Sequence, residues 1–177
     1  MDQIDKKWFV NALRRCGGLK YGDFILASGK RSSYYFDIKA AVTRPDMLRV
    51  IARGMAPHAP GHARIAGVAL GAVPIAVAVS LETDLPYIMV RKEVKEHGTQ
   101  KPFEGELVKG EKVLFVEDVV TTGGTLVKAI LELRERGAVI DRVVCVVDRQ
   151  EGGQESLSSI GVSLYSLLAA KDLLGTV

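Results

Sequence analysis

The sequence lacks the features on which several classes of protein depend. It has only two cysteines, Cys16 and Cys145, which argues against a disulfide-built scaffold and predicts reduced, buried thiols in a cytoplasmic protein. Gly71 and Pro74 interrupt the apolar run over residues 65–81, which argues against a membrane span. Charged residues near the start of the chain argue against a secretion signal. The net charge is only +3, too small to indicate a nucleic-acid partner by itself.

What is present is the composition of a globular protein, because 47% of the 177 residues are hydrophobic and 25% are charged. This length and composition predict a single domain over residues 1–177 with a substantial core. Beyond about residue 60, apolar strand-like runs alternate with helical patterns. That order indicates a parallel sheet covered by helices on both faces. The predicted strands lie at 65–69, 87–90, 112–116, 142–147 and 162–166, and the predicted helices at 74–81, 124–136 and 169–174.

Before residue 60 the pattern is different. Apolar residues at helical spacing predict a first helix that ends at Gly17 and Gly18. Two short runs, at 24–26 and 34–38, flank a turn of glycine, serine and basic residues and therefore predict a hairpin. Pro45 then begins a second helix that should end near residue 55.

The segment over residues 113–125 carries the most information. An apolar strand is expected to end in Glu117 and Asp118, and a short loop of threonine and glycine then opens a helix. Open α/β folds bind their ligands at the carboxyl ends of the strands. There, the N–H groups of a small-residue loop and of a helix N-terminus suit a phosphate, whereas carboxylates suit sugar hydroxyls or a metal ion. A sugar phosphate satisfies both, and the missing Gly-Lys-Ser/Thr excludes a nucleotide P-loop.

This segment closely resembles the phosphoribosyl-pyrophosphate (PRPP) motif of the type I phosphoribosyltransferases. The resemblance implies that the two acids bind the ribose hydroxyls and that the loop binds the 5′-phosphate. It also implies the α/β fold of that family, a parallel twisted sheet flanked by helices with a small N-terminal hood over about residues 1–40. The implied PRPP-binding residues of this segment are Glu117, Asp118, Val119, Val120, Thr121, Thr122, Gly123, Gly124 and Thr125.

A polar segment over about residues 92–109 shows neither helical nor strand periodicity. A loop of that length in a compact domain is usually a functional lid or a disordered segment. It begins beside Arg91 and Lys92 and includes Lys95 and His97, and taken alone such a charged run is usually solvated surface. The spacing of these four residues resembles the mobile catalytic loop of the family members that use orotate. By that resemblance all four bind PRPP, mainly its pyrophosphate. Lys95 and His97 are then catalytic, and Lys95 is the main catalytic residue.

The turn over residues 69–76 is a further candidate. Gly71 at a strand-to-helix turn and Pro74 at the helix start free backbone N–H groups for an anion. In the family this turn binds pyrophosphate, although a plain tight turn explains the pattern nearly as well. Because the turn has no charged side chain, pyrophosphate binding would depend more on backbone groups and on the mobile loop.

Two segments are expected on the base side of the site. The hairpin resembles the family's orotate-side segment, in which aromatic rings flank a planar base, and Tyr35 and Phe36 occupy the matching positions. Since successive strand residues point to opposite faces, only one ring is expected to contact the base, and core packing is the alternative. Arg149 follows a strand, and a guanidinium group can bind a carboxylate in bidentate fashion. With Thr121, Arg149 is the implied orotate-binding residue, and a surface arginine is the alternative.

Together these resemblances imply transfer of the ribosyl 5-phosphate group from PRPP to orotate, which gives orotidine 5′-monophosphate and pyrophosphate in pyrimidine biosynthesis. The implied cofactor is Mg²⁺, held mainly through PRPP rather than by direct protein ligands. The implied assembly is a homodimer whose catalytic loop is shared between subunits, with no nucleic-acid or membrane partner. Two alternatives remain open: a phosphoribosyltransferase for another base, and a non-catalytic PRPP-sensing regulator of the same fold.

Overall fold

The computed structural model of the protein describes residues 5–25, 31–92 and 101–173. Within these residues the chain forms a two-stranded sheet and a six-stranded sheet. No helix in these ranges combines the length and the apolar character needed to cross a membrane. The helices are α1 Lys6–Arg15, α2 Ile38–Val42, α3 Pro45–Met55, α4 Val73–Thr83, α5 Gly124–Glu135 and α6 Gly153–Ser158. The strands are β1 Leu19–Ile25, β2 Arg31–Phe36, β3 Arg64–Val68, β4 Tyr87–Val90, β5 Phe103–Glu104, β6 Val113–Val120, β7 Arg142–Asp148 and β8 Ser163–Ala169.

The large sheet has the strand order β5-β4-β3-β6-β7-β8. All neighbours in it are parallel except β5, which pairs antiparallel with β4. After β3 the chain adds β4 on one side, and it later adds β6 on the other side of β3. The carboxyl ends of β3 and β6 therefore flank the point at which the order reverses, where open α/β sheets form their ligand crevice. The predicted α/β fold with a largely parallel sheet is confirmed.

The central position of β6 in the large sheet explains why its sequence is apolar almost throughout. Leu114 and Val116 pack in one core cluster, which includes Ile75 of α4. Phe115 points to the other face and packs in a second cluster with Ile130 of α5. All of these side chains are fully buried. A strand covered on both faces has no solvent side, so it shows no alternation of polar and apolar residues.

The N-terminal hood consists of α1, the antiparallel hairpin β1–β2 and α2. Asp5 caps α1, because its carboxylate accepts hydrogen bonds from the N–H groups of Lys7 and Trp8 at 2.9 and 3.2 Å. The predicted hairpin is confirmed, but its strands span Leu19–Ile25 and Arg31–Phe36 rather than 24–26 and 34–38. Ile38 instead begins α2, and this helix buries its side chain in the core.

Further elements differ from the sequence-based prediction. Near residue 170, β8 extends to Ala169 and a short 3-10 helix, Ala170–Leu173, replaces the helix predicted over 169–174. The strand β6 extends to Val120 because Val119 pairs with Val147 and Val120 pairs with Asp148, so Glu117 and Asp118 lie within the strand rather than at its end. The short strand β5 lies inside the segment over residues 92–109, for which no strand was predicted, and α6 was not predicted either. Elements this short leave no periodic pattern, and their partners come from other parts of the chain.

Candidate active site

The acidic pair lies near the carboxyl end of β6, beside the point at which the strand order reverses. Glu117 is only 9% exposed. Its Oε1 accepts a hydrogen bond from the Asp118 N–H at 2.9 Å, and Asp118 Oδ1 accepts one from the Val119 N–H at 2.7 Å. Burial, followed by the contact with the Asp118 carboxyl group, raises the pKa of Glu117 well above its ordinary value. Burial is the main cause, because a carboxyl group removed from water is less stable in its charged form.

The turn after β3 packs directly against this pair. A Cβ atom at Gly71 would lie 2.1 Å from Oδ2 of Asp118, so only glycine permits the close approach. Within β3, a Cβ at Gly67 would lie 2.7 Å from the backbone oxygen of Ala72, a residue of this turn. The two glycines thus bring the backbone of the predicted pyrophosphate turn into contact with the predicted ribose-binding acid.

The threonine and glycine loop follows β6 and opens α5. Gly123 precedes the helix with a φ of 79°, a left-handed conformation that favours glycine, and its residue type offers no side-chain cap. The first N–H groups of this 12-residue helix are therefore not bound by a capping side chain. A helix start of this kind attracts a phosphate. The loop also lies against α6, because a Cβ at Gly153 would be 2.7 Å from the backbone oxygen of Thr121.

Arg91 and Lys92 follow β4, the neighbour of β3, and so lie at the same edge of the sheet. They line a cavity of about 240 Å³ together with Thr125 and with Lys128 of α5. Arg91 also forms an ion pair with Glu104 of β5. Lys128 was not predicted, because a single lysine on a helix carries no motif. Lys95 and His97 lie outside the described residues.

Arg149 follows β7 on the other side of β6. Its N–H donates to the Val120 backbone oxygen at 2.9 Å, and the residue is only 8% exposed. Its Nη2 lies 2.9 Å from Oε1 of Glu151, and its guanidinium carbon lies 5.6 Å from the centre of the Tyr34 ring. Among the described residues, Arg149 Nε is the one buried side-chain nitrogen or oxygen without a hydrogen-bond partner. Burying a charged donor without an acceptor costs free energy, unless a ligand supplies the acceptor.

The aromatic residues of the hairpin take separate places. Phe36 is 6% exposed and packs in the core, whereas Tyr35 is 41% exposed and packs on Phe24 with ring centres 5.6 Å apart. Tyr34, which was not predicted, is the aromatic residue in contact with Arg149. The period of two in a strand could have indicated it, because Tyr34 shares a face with Phe36. Contact of Tyr35 or Phe36 with a base stays a prediction.

Comparisons with known proteins agree with this arrangement. The family model of the phosphoribosyl transferase domain matches residues 62–163. The chain is 46% identical to the orotate phosphoribosyltransferase of Methanocaldococcus jannaschii, over 98% of this chain and 99% of that protein. Its identity to the enzyme of the same name from Methanosarcina acetivorans is 47%, over 97% of this chain and 93% of that protein. The crystal structure of orotate phosphoribosyltransferase from Aeropyrum pernix matches with a TM-score of 0.85 at 34% identity, over 94% of this chain and 96% of that one.

The chain therefore belongs to the phosphoribosyltransferase family. It is a pentosyltransferase with the fold expected of the type I members, built around a parallel sheet with an acidic pair at its carboxyl edge. Within the family it belongs to the orotate phosphoribosyltransferases, since its full-length relatives are members of that group.

Proposed function

We propose that this chain transfers the ribosyl 5-phosphate group from PRPP to orotate, giving orotidine 5′-monophosphate and pyrophosphate in the synthesis of UMP. One observation carries the proposal. The carboxyl pair of β6 is followed by the threonine and glycine loop at the start of α5, and the adjoining strand β7 is followed by a buried arginine whose Nε has no partner among the described residues. The first arrangement suits a phosphorylated sugar, and the second suits a planar base that carries a carboxylate.

The sugar binds at the end of β6. Glu117 and Asp118 accept hydrogen bonds from the ribose hydroxyls, and the loop from Thr121 to Thr125 binds the 5′-phosphate through backbone N–H groups and hydroxyls. The tight packing of Gly71 against Asp118 supports this, because it brings the backbone of the neighbouring turn to the position where pyrophosphate would leave.

The base binds between the loop and the end of β7. Arg149 binds the orotate carboxylate, and Thr121 contacts the ring. The packing of Gly153 on Thr121 supports the assignment of both residues to the base. It holds α6, and the turn before α6 that contains Arg149, beside the loop. A base without a carboxylate would leave Arg149 Nε without an acceptor, which disfavours a purine or plain pyrimidine substrate.

The transition state separates charge between the ribose ring, which becomes positive, and the leaving pyrophosphate, which becomes more negative. Arg91, Lys92, Lys95 and His97 stabilise the pyrophosphate, and Lys95 is the main catalytic residue. Closure of the segment that carries Lys95 over the site excludes water, which would otherwise attack the ribosyl cation.

Mg²⁺ fits this site as an ion held mainly by PRPP oxygens and water. Among the described residues no group of three or more histidine, cysteine or acidic side chains could hold a metal ion, and Mg²⁺ in such sites usually keeps several waters beside the phosphates of the substrate. When bound, the ion neutralises negative charge on the diphosphate.

The protein acts as a cytoplasmic homodimer in which each subunit supplies its catalytic loop to its partner's site. The loop begins beside Arg91, whose N–H donates to the Pro102 backbone oxygen at 2.7 Å, so the chain at Pro102 lies beside the start of the loop. Mixing inactive Lys95→Ala chains with inactive Asp118→Asn chains tests this, because only a shared site can restore activity. No recovery in demonstrably mixed dimers would mean that the loop acts within its own subunit.

The function itself is tested by following orotate loss in the ultraviolet with PRPP and Mg²⁺. We expect turnover by the unmodified chain and a sharp loss in Lys95→Ala, whereas Lys39→Ala, which removes an exposed lysine of α2, serves as the control. Turnover of another base in place of orotate would assign a different base specificity. PRPP binding without turnover of any base would assign a regulator.

A further inference from the structure

We infer that Glu151 and Tyr34 are positioning residues, which hold Arg149 in the orientation that binds the carboxylate of the base. This inference rests on the proposed function, in which Arg149 binds that carboxylate. Neither residue is among the predicted ligand-binding residues. They contact the arginine from different elements, Glu151 from the turn after β7 and Tyr34 from the hood.

The guanidinium group of Arg149 is only partly paired within the fold. Its side chain is 7% exposed, so water supplies little of the hydrogen bonding that a cation requires. Glu151 contacts Nη2, whereas Nε has no hydrogen-bond partner among the described residues. A fold that used this arginine for stability alone would pair it more completely.

Glu151 is held against Arg149 by an unusual backbone. Gln150 and Gly152, on either side of it, both have left-handed φ values, 56° and 100°. The chain therefore turns sharply and returns the carboxylate of Glu151 to the arginine two residues earlier. Two hydrogen bonds brace the turn: the Gln150 N–H donates to Asp148 Oδ1 at 2.8 Å, and the Lys171 N–H donates to Gln150 Oε1 at 3.1 Å.

Tyr34 restrains the same group from its face. The guanidinium carbon lies 5.6 Å from the ring centre, within the range of a cation–π contact. The ring is itself fixed by Phe36, which it meets edge to face with ring centres 5.6 Å apart. Phe36 is part of the core, so the position of the Tyr34 ring is set by the packing of the hood.

An ion pair at one nitrogen and a ring on one face together define the plane of the guanidinium group. Bidentate binding of a planar carboxylate requires that plane to be fixed. Without Glu151 the arginine keeps its charge but samples other rotamers, so binding of orotate weakens while binding of PRPP does not.

The test compares Glu151→Ala, Glu151→Asp and Glu151→Gln with Glu155→Ala, which removes an exposed acid of α6. We expect Glu151→Ala to raise the KM for orotate about tenfold, because an ion pair with a buried charge is lost. The KM for PRPP should stay unchanged, and the preference for orotate over uracil should fall. Glu151→Asp keeps the charge but shortens the side chain, so it should act in the same direction. Glu151→Gln keeps an oxygen acceptor and should restore most of the affinity.

Tyr34→Leu should also raise the KM for orotate, by about fivefold, because a cation–π contact is weaker than a buried ion pair. A merely structural role would instead alter thermal stability and both KM values together. An unchanged or lower KM for orotate in Glu151→Ala and Glu151→Asp would overturn the inference, since a lower value would mean that Glu151 competes with the substrate.

Arg149→Ala distinguishes a failure of the positioning role from a failure of the proposed base site. If it raises the KM for orotate and lowers the preference over uracil while the Glu151 variants behave as wild type, the positioning role is wrong and the proposed base site stands. If Arg149→Ala itself leaves both quantities unchanged, the proposed base site is wrong and the positioning role falls with it.

Discussion

The two edges of the large sheet treat their buried charges differently. At the amino edge, Arg64 opens β3 and donates two hydrogen bonds to Glu111, from Nε at 2.8 Å and from Nη2 at 3.1 Å. Asp141 precedes β7, where its carboxylate lies 2.7 Å from Lys112 Nζ and 3.2 Å from His62 Nε2. The buried Arg64 and the partly exposed Asp141 thus each have a partner at this edge.

At the carboxyl edge the pairing is incomplete. Within the described residues Glu117 forms no ion pair, and the ionisable group that acts on its pKa is the acid Asp118. Arg149 has an ion pair but an unpaired Nε. Polar groups are therefore fully paired at the edge where they contribute only to stability, and they are incompletely paired at the edge where we propose that ligands bind.

Glu117→Gln should have the largest effect, because it removes the buried carboxyl group at the carboxyl edge of the sheet. We expect kcat/KM to fall by about a thousandfold, because one of the two oxygens that can accept from the ribose hydroxyls is replaced by an amide NH2 group, which cannot accept. We expect the free energy of unfolding at neutral pH to stay equal or to rise, because a buried carboxyl group is removed. Orotate-consumption kinetics and urea unfolding measure the two quantities.

The pH dependence of the same variant sharpens the test. Burial raises the folded-state pKa of Glu117 above its unfolded value. The stability from the protonated group is therefore present at low pH and is lost as the pH rises through the folded pKa. Glu117→Gln should lose this dependence. Earlier unfolding with retained activity would make Glu117 a structural residue and remove the contrast between the edges.

Gly71→Ala should have the next largest effect. The added Cβ would lie 2.1 Å from Asp118 Oδ2 and must displace the acid or the turn. A displacement of this size in a catalytic site lowers kcat/KM by about a hundredfold. Gly22→Ala is the matched control, because its Cβ would lie 3.3 Å from the movable Phe24 ring, away from the site. Equal activities of the two variants would contradict the packing of the turn against Asp118.

Glu111→Gln removes the ion pair with Arg64 at the amino edge of the sheet. We expect the free energy of unfolding to fall by about 2 kcal/mol, since Arg64 stays buried without its charged partner. The hydrogen bond from Arg64 lowers the pKa of Glu111, so the contribution of the pair is present at neutral pH and is lost as the pH falls through that lowered value. Activity per folded molecule should not change. A large loss of kcat/KM with unaltered stability would mean that Glu111 contributes to activity rather than to stability.

Asp141→Asn should have the smallest effect. Burial acts to raise the pKa of Asp141, but the hydrogen bonds from Lys112 and His62 outweigh it, and the pKa is lowered. Because the side chain is 43% exposed, water screens the pair, and its loss should lower the free energy of unfolding by only about 0.5 kcal/mol. Thermal unfolding measures this value. A loss as large as that in Glu111→Gln would show that exposure does not govern the strength of these pairs.

The sequence was sufficient for the parts of the site that are contiguous in the chain. Glu117, Asp118 and the following threonine and glycine loop form one strand–loop–helix unit, so their order alone predicted a phosphate and sugar site. The alternation of strands and helices likewise predicted a parallel sheet, because a strand buried on both faces is apolar throughout. Pro45 predicted the start of α3 for a local reason, since its fixed φ suits the first turn of a helix.

Contacts between distant segments were not predictable in the same way. The alternation of side chains in β2 indicated that Tyr35 and Phe36 differ in direction, but only the packing of the hood determines that Phe36 is in the core. The extension of β6 to Val120 depends on pairing with β7, which no local pattern encodes. The contact of Tyr34 with Arg149 joins the hood to the end of β7, and the period of two in β2 could indicate only the face on which Tyr34 lies, not its partner.

By itself the sequence determined the class of fold, the ligand-binding edge and the residue types that bind a phosphorylated sugar, because each follows from local periodicity or from a contiguous motif. Only the tertiary structure decided which aromatic ring contacts Arg149, how closely Gly71 approaches Asp118 and which buried charges have partners. These features depend on distances between segments far apart in the chain, and such distances are set by core packing and strand pairing rather than by the order of neighbouring residues.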